Sequence, residues 1–331
     1  MMECIASELV EQTIEGDSQG KFAKEIWRFS EGVPLSCVRK TLPDGPTRGV
    51  VVFVHGFAQN RYSWHTSQRS MVNWFAARGW DVYNLELRGH GRSRGRLSHG
   101  AEAFSDYAED VARVANHFKG KAFFIGHSLG GSACYAGATR AEMAGVIGIG
   151  APFRFGGANS TLRRLCQVTN LLKPVLMERT DLRTAVLGRA VGRIYGVADV
   201  LGYGFPIAGW YPDSVEREVI MERLEKGFDW TSLKVWTEMS QWSKRGSCEF
   251  APEWKDNETP VFVVVGDKDH LMPLEDARGA YDLSASSDKT LQLFDDYEHE
   301  VHWGHLDLVL GRYASQHTWP AIDQWMSDRQ V

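Results

Sequence analysis

The stretch Phe123-Phe124-Ile125-Gly126-His127-Ser128-Leu129-Gly130-Gly131 constrains this chain more than any other. A short apolar run of the kind that forms a buried strand stops at Gly126. Small residues then continue through Gly131, Ser132 and Ala133 into a helical pattern. Ser128 lies between, with a glycine two residues before it and another two after. A serine on so tight a strand-to-helix turn takes strained backbone angles, which its neighbours accommodate only if they lack bulk. The turn pushes the hydroxyl into solvent, and the N-terminus of the following helix offers N–H groups to a developing negative charge. G-x-S-x-G between a strand and a helix makes Ser128 the candidate nucleophile.

The flanking segments alternate in type. Glu25 to Phe29 and Val33 to Arg39, broken at Glu31-Gly32, predict a hairpin at the edge of a sheet. After the turn cluster Pro43-Asp44-Gly45-Pro46 comes Gly49 to Val54, a β-branched run suited to a buried parallel strand. Met71, Val72, Phe75 and Ala76 have helical spacing that stops at Arg78-Gly79, and Trp80 to Leu87 returns as a strand. Phe104, Tyr107, Ala108, Val111, Ala115 and Phe118 form a helical core stripe. The Ser128 strand, a helix to about Arg140 and the strand Gly145 to Gly150 follow. This rhythm predicts an α/β fold, a mostly parallel doubly wound sheet with functional residues at the carboxyl ends of its strands.

The rhythm breaks at Ala151-Pro152. From there to Glu258 helical patterns recur near 160–172, 175–190, 214–226 and 230–244, with no convincing strand. A glycine- and aromatic-rich run, Val191 to Trp210, carries Tyr195, Tyr203, Phe205 and Trp210. The expected organisation is a core over 1–151, an inserted helical cap over 152–258 roofing an apolar pocket, and the rest of the core over 259–331.

The sheet resumes at Pro260 to Gly266, whose carboxyl end carries Asp267-Lys268-Asp269, with Pro273 placed to start a helix. An acid there can orient a histidine; Asp269 is preferred, and Asp267 is the alternative that could instead satisfy loop amides. Leu291 to Phe294 is the last strand, and the loop after it holds His299, His302 and His305. No partner carboxylate or cysteine arrangement supports a metal there, and neither a metal nor a cofactor is required. His305, after Gly304 and ahead of the helical run Leu306 to Tyr313, is the preferred general base, with His302 second. Earlier in the chain, His90 within Arg88-Gly89-His90-Gly91-Arg92-Ser93 is expected to position neighbouring segments rather than react.

Composition narrows the class. A length of 331 residues accommodates one α/β core with an insertion. The 43% hydrophobic and 24% charged content is that of a soluble globular protein, and the net charge of -5 gives no reason to invoke nucleic acid. Five cysteines at unpatterned spacings favour a reduced, cytoplasmic setting. Met1 to Gly20 is polar with no apolar signal region, and no run reaches the roughly 18 apolar residues needed to span a bilayer. Ser128 as a nucleophile, not the composition, is what makes a small-molecule ester or acyl substrate the expected partner; a homodimer is compatible with this composition.

Taken together, His55-Gly56-Phe57, Arg88 to Ser93, Gly126-His127-Ser128-Leu129-Gly130 and Gly266 to Pro273 resemble the α/β-hydrolase superfamily across nearly the whole chain. Gly304-His305-Leu306-Asp307 is similar to the histidine loop of acid lipases and polyhydroxyalkanoate synthases, although those synthases carry cysteine where this chain has Ser128. The order Ser128, Asp269, His305 is the nucleophile–acid–base order of that fold. The resemblance implies an oxyanion hole from the Phe57 and Leu129 amides and substrate-binding roles for His55, Gly56 and His127. It implies a serine esterase or lipase. Thioesterase, lactonase, carbon–carbon hydrolase and acyltransferase action use the same machinery, and a non-catalytic binding module on this fold is the remaining alternative.

Overall fold

The computed structural model describes residues 2–95, 100–156, 159–176, 181–184 and 209–330. Its centre is a nine-stranded sheet in the order β1-β2-β3-β5-β4-β6-β7-β10-β11. The strands are β1 (Met2–Glu15), β2 (Ser18–Phe29), β3 (Leu35–Thr41), β4 (Val50–Val54), β5 (Asp81–Glu86), β6 (Ala122–His127), β7 (Gly145–Ile149), β10 (Val261–Gly266) and β11 (Lys289–Phe294). From β5 across to β11 all pairings are parallel, whereas β1, β2 and β3 join antiparallel at one edge. The fold is the expected α/β-hydrolase sheet.

Parallel strands buried on both faces need apolar residues at every position, and alternation sends successive ones to opposite sides. In β4, Val52 and Val54 enter one core and Val51 and Phe53 the other; in β6, Phe124 divides from Phe123 and Ile125 in the same way. Helices α2 (Phe104–His117) and α3 (Leu129–Ala138) cover the first face, burying Phe104, Tyr107, Val111 and Ala133. Helix α1 (Met71–Ala77) and the C-terminal helix Thr318–Ser327 cover the second, through Met71, Phe75, Trp319 and Trp325. Ser70 caps α1 by accepting from the Asn73 amide.

The hairpin expected at the edge is not the edge. β1 pairs along the outside of β2 over its whole length. Most of its first eight residues are exposed, so the strand lacks the alternating apolar face that would reveal it in sequence.

The chain leaves the sheet after β7 and returns at β10. Between them α4 (Ser160–Leu176) lies where a helix was expected, and it packs on α6 (Leu233–Arg245) through Asn170 to Ser240 and Trp236 to Thr169. Helix α5 (Arg217–Glu222) runs into a wider π turn over Arg223–Gly227. Two strands, β8 (Asp181–Arg183) and β9 (Trp230–Ser232), pair antiparallel here, where only helices were expected. Three-residue strands are too short to show a period. Most of the 175–190 helix and of the Val191 to Trp210 run, with Tyr195, Tyr203 and Phe205, lies outside the described residues; Trp210 is buried in the second core rather than in a pocket wall.

Candidate active site

Ser128 stands where β6 meets α3, with φ 55° and ψ −130°. A non-glycine residue at positive φ of this kind is strained and persists only where its surroundings fix it. The fixing is visible: the Ser128 amide donates to Ile149 at 2.9 Å and its carbonyl accepts from Gly131 at 2.9 Å. The glycines are needed for close approach. A Cβ on Gly126 would meet the Gly130 carbonyl carbon at 2.5 Å, and one on Gly130 would meet the Val54 carbonyl oxygen at 2.3 Å. The turn therefore presses against the end of β4, where the loop starting at His55 begins. Among the described residues, the Phe57 and Leu129 amides have no hydrogen-bond partner, and Leu129 is the first residue of α3.

Two histidine–aspartate pairs form between the loop after β10, which carries the acids, and the loop after β11, which carries the rings. His305 Nδ1 bonds Asp269 Oδ2 at 2.7 Å, and Asp269 Oδ1 accepts from the Met272 amide at 2.7 Å. His305 and Asp269 are buried, and Gly150 makes room for them: a Cβ there would lie 2.8 Å from His305 Nδ1. His302 Nδ1 bonds Asp267 Oδ2 at 2.6 Å, while Asp267 Oδ1 accepts from the Trp303 amide at 2.8 Å. A cavity of about 360 Å³ separates the roles of the pairs, for Ser128 and His305 both line it and His302 does not. Among the described residues His305 is hydrogen-bonded to Asp269 and not to Ser128. The cavity wall is otherwise largely apolar, including Phe57, Phe155, Leu162, Trp236, Met239 and Leu271.

His302 faces a separate surface cavity with Tyr211, Asp296 and Asp307. Here the fold supplies what the sequence did not show, since ligand atoms of Asp267, Asp296 and His302 lie within 4.8 Å of one another. The Asp267 carboxylate is already engaged by His302 and the Trp303 amide, so the cluster is accounted for as a loop clasp. His299 stacks on Phe294 with ring centroids 4.9 Å apart.

The three residues expected to bind substrate do not line the Ser128 cavity. His55 is fully buried, with Nε2 accepting from the Leu87 amide at 3.1 Å and Nδ1 bonded to the Gly56 carbonyl at 2.9 Å. It ties the end of β4 to the end of β5, and burial holds its pKa down to about 4. Gly56 packs directly against the elbow, where a Cβ would lie 3.1 Å from Ser128 Cβ. His127 donates from Nε2 to the His305 carbonyl at 3.1 Å and packs its ring 4.4 Å from that of His305. Burial, with His305 and Arg223 nearby, keeps His127 well below its ordinary pKa, so it props His305 as a neutral ring. His90 is buried against His55 at 4.8 Å and holds the Arg88 carbonyl, the positioning role expected of it. Arg88 beside it is locked to Asp110 by contacts of 2.7 and 2.9 Å.

Sequence reasoning missed three residues at the site. Asp229 accepts from the Gly91 amide at 2.7 Å and from Asn60 at 3.2 Å, partners 138 and 169 positions away. Its own amide donates to Ala58, so it fastens the insertion to the loop that carries Phe57. Asp307 is buried and receives the amides of Gly304 and Tyr211 and the Ser214 hydroxyl; burial raises it to about 7. Arg223 lines the Ser128 cavity from the π turn. The π turn follows a helical pattern without any change in composition, and no local motif marks Asp229 or Arg223; Asp307 closes the Gly304-His305-Leu306-Asp307 motif, which did not show its buried role.

The chain belongs to the alpha/beta hydrolase family, which it matches over residues 51–313. It is a hydrolase of the lipase and esterase type. A monoacylglycerol lipase of Mycolicibacterium smegmatis is 30% identical over 270 residues, covering 78% of this chain and 84% of the relative. An epoxide hydrolase B of Mycobacterium tuberculosis is 32% identical over 127 residues, only 37% of this chain and 34% of the relative. The solved monoacylglycerol lipase of Paleococcus ferrophilus superposes with TM-score 0.60 at 20% identity, over 86% of this chain and 96% of its own. A soluble variant of monoglyceride lipase from Saccharomyces cerevisiae gives 0.58 at 16% identity, over 98% and 97%. These two likenesses are of fold. Among the described residues no helix is long and apolar enough to cross a membrane.

Proposed function

We propose that the chain is a serine hydrolase that cleaves carboxylic esters bearing an apolar acyl group, with Ser128, His305 and Asp269 as its triad. The observation that carries this reading is the buried 2.7 Å His305–Asp269 pair, whose histidine lines the same cavity as a strained, elbow-borne serine. His305 Nε2 takes the proton of the Ser128 hydroxyl as Oγ attacks the ester carbonyl. Asp269, bonded to Nδ1, fixes the tautomer and stabilises the imidazolium. The carbonyl electrons move to oxygen, which the Phe57 and Leu129 amides receive. Collapse expels the alcohol, protonated by His305, and leaves an acyl-Ser128 ester. Water, deprotonated by His305, then frees the acid and restores the serine. An elbow serine does not offer the carboxylate nucleophile of epoxide opening, so the short second likeness is taken as one of fold.

The apolar wall favours acyl chains, and the 30% identical monoacylglycerol lipase makes monoacylglycerol-type esters the first natural class to test. The insertion over 152–258 acts as the cap that shapes this pocket, and the reaction needs neither metal nor organic cofactor. The test is a kcat/KM series over p-nitrophenyl esters of increasing chain length, beside matched thioesters. A rise with chain length and a preference for the oxygen ester is expected. Faster cleavage of thioesters throughout would replace ester by thioester as the substrate.

A further inference from the structure

Three arginines in the described structure are buried, and they are not alike. Arg69 is held by Glu216 at 2.8 and 2.9 Å and by Glu15 at 2.9 Å. Arg88 is held by Asp110, with Asp106 at 3.0 Å. Arg223, only 3% exposed, has Nε and Nη2 buried with no hydrogen-bond partner. The nearby Glu222 is committed to Ser67 and Lys226. In the same cavity wall the buried Thr231 hydroxyl also lacks a partner.

An unneutralised guanidinium inside an apolar pocket is costly, because its hydration is lost and nothing replaces it. Burial alone lowers its pKa to about 10, which leaves it charged at neutral pH. Its planar fork of donors is shaped for carboxylate or phosphate oxygens. The structure already shows the fold supplying carboxylates to the other two buried arginines. Arg223 lines the same cavity as Ser128, so an anion carried by a ligand in that cavity can reach it.

We propose that Arg223, with Thr231, forms an anion-binding subsite in the substrate pocket, and that the preferred esters carry a carboxylate or phosphate along with their apolar chain. The inference deepens the ester-hydrolase reading and depends on it for the turnover measurements only. The group enters either on the acyl side or on the alcohol side of the ester, and substrate pairs distinguish these. One pair is p-nitrophenyl valerate against p-nitrophenyl hemisuccinate. The other is a monoacylglycerol against the same acyl chain on glycerol phosphate.

The readout is the anionic-to-neutral ratio of kcat/KM in wild type, Arg223→Lys, Arg223→Met and Thr231→Val. The wild type is expected to favour the anionic member of at least one pair. That ratio should fall on the order of 100-fold in Arg223→Met, chiefly through KM, and much less in Arg223→Lys. A wild-type ratio at or below one for both pairs overturns the subsite, as does an unchanged ratio in folded Arg223→Met. Calorimetry on full-length Ser128→Ala protein, with monobutyl phosphate against butanol, reads binding without turnover. Binding of the phosphate there, with no ester cleaved, would fail the hydrolase reading and keep the subsite; equal or absent binding of the two fails the subsite alone.

Discussion

The two histidine–aspartate pairs are nearly identical in contact and opposite in setting. His305–Asp269 is 2.7 Å long with side chains 3% and 0% exposed; His302–Asp267 is 2.6 Å with 26% and 13%. The acids are two residues apart and the histidines three. A turn closed from the Asp269 amide to Gly266, at 3.2 Å, sends the two carboxylates to different sides of the strand end. Trp303, buried between the histidines, and Gly304, bound to Asp307, do the same for the rings. The inner pair reaches, through His305, the apolar cavity that Ser128 also lines, where charge is poorly screened. The outer pair meets solvent and clasps a loop. Forming the pair does not distinguish them; what lies beside it does.

Substitutions should separate the pairs. His305→Ala is expected to lower ester turnover on the order of a million-fold, with Asp269→Asn lower by roughly ten-thousand-fold because the tautomer is no longer fixed. Steady-state kinetics with a p-nitrophenyl ester checks both. His302→Ala should cost no more than roughly tenfold in the same assay; a loss equal to that of His305→Ala would give the base to the outer pair. Asp267→Asn should show mainly in stability, about 1–2 kcal/mol by urea unfolding, since the Trp303 amide and His302 lose an ionised acceptor.

Acid should act on a third group, the rings that neither pair uses. His55 and His90 are held down to about 4 in the folded protein, by burial in each case, against an ordinary 6.5. Between those values the unfolded chain binds protons that the native one does not, so stability is intact above pH 6.5 and falls as pH drops toward 4. For His55 the loss is on the order of 3 kcal/mol over that window. Urea midpoints at pH 7.5, 6 and 5 measure it, and a flat profile would show that these rings are protonated in the folded state.

Much of this was legible in the sequence because the features that carry it are local. The Ser128 turn, the β-branched strands at Val50–Val54 and Val261–Gly266, and the α2 stripe each declare themselves within a few residues. Of the histidines and acids weighed in the sequence, His305 lines the cavity with Ser128, and Asp269 is the acid bonded to it. β1 was hidden because an exposed edge strand needs no apolar face, and β8 and β9 because they are short. His55 and His127, expected at the substrate, lie off the cavity for another reason. A histidine at a strand end is equally suited to solvent and to a backbone partner, and only the neighbouring strands decide. Asp229 and Arg223 depend on partners, or on the lack of one, far along the chain.

The most direct measurement is labelling with a fluorophosphonate probe, followed by mapping of the modified peptide, in wild type and in folded Ser128→Ala, His305→Ala and His302→Ala. Modification of Ser128 is predicted in wild type and in His302→Ala, and its loss in the other two. A folded wild type that resists the probe, or labelling that survives His305→Ala and disappears in His302→Ala, would contradict the assignment of the inner pair.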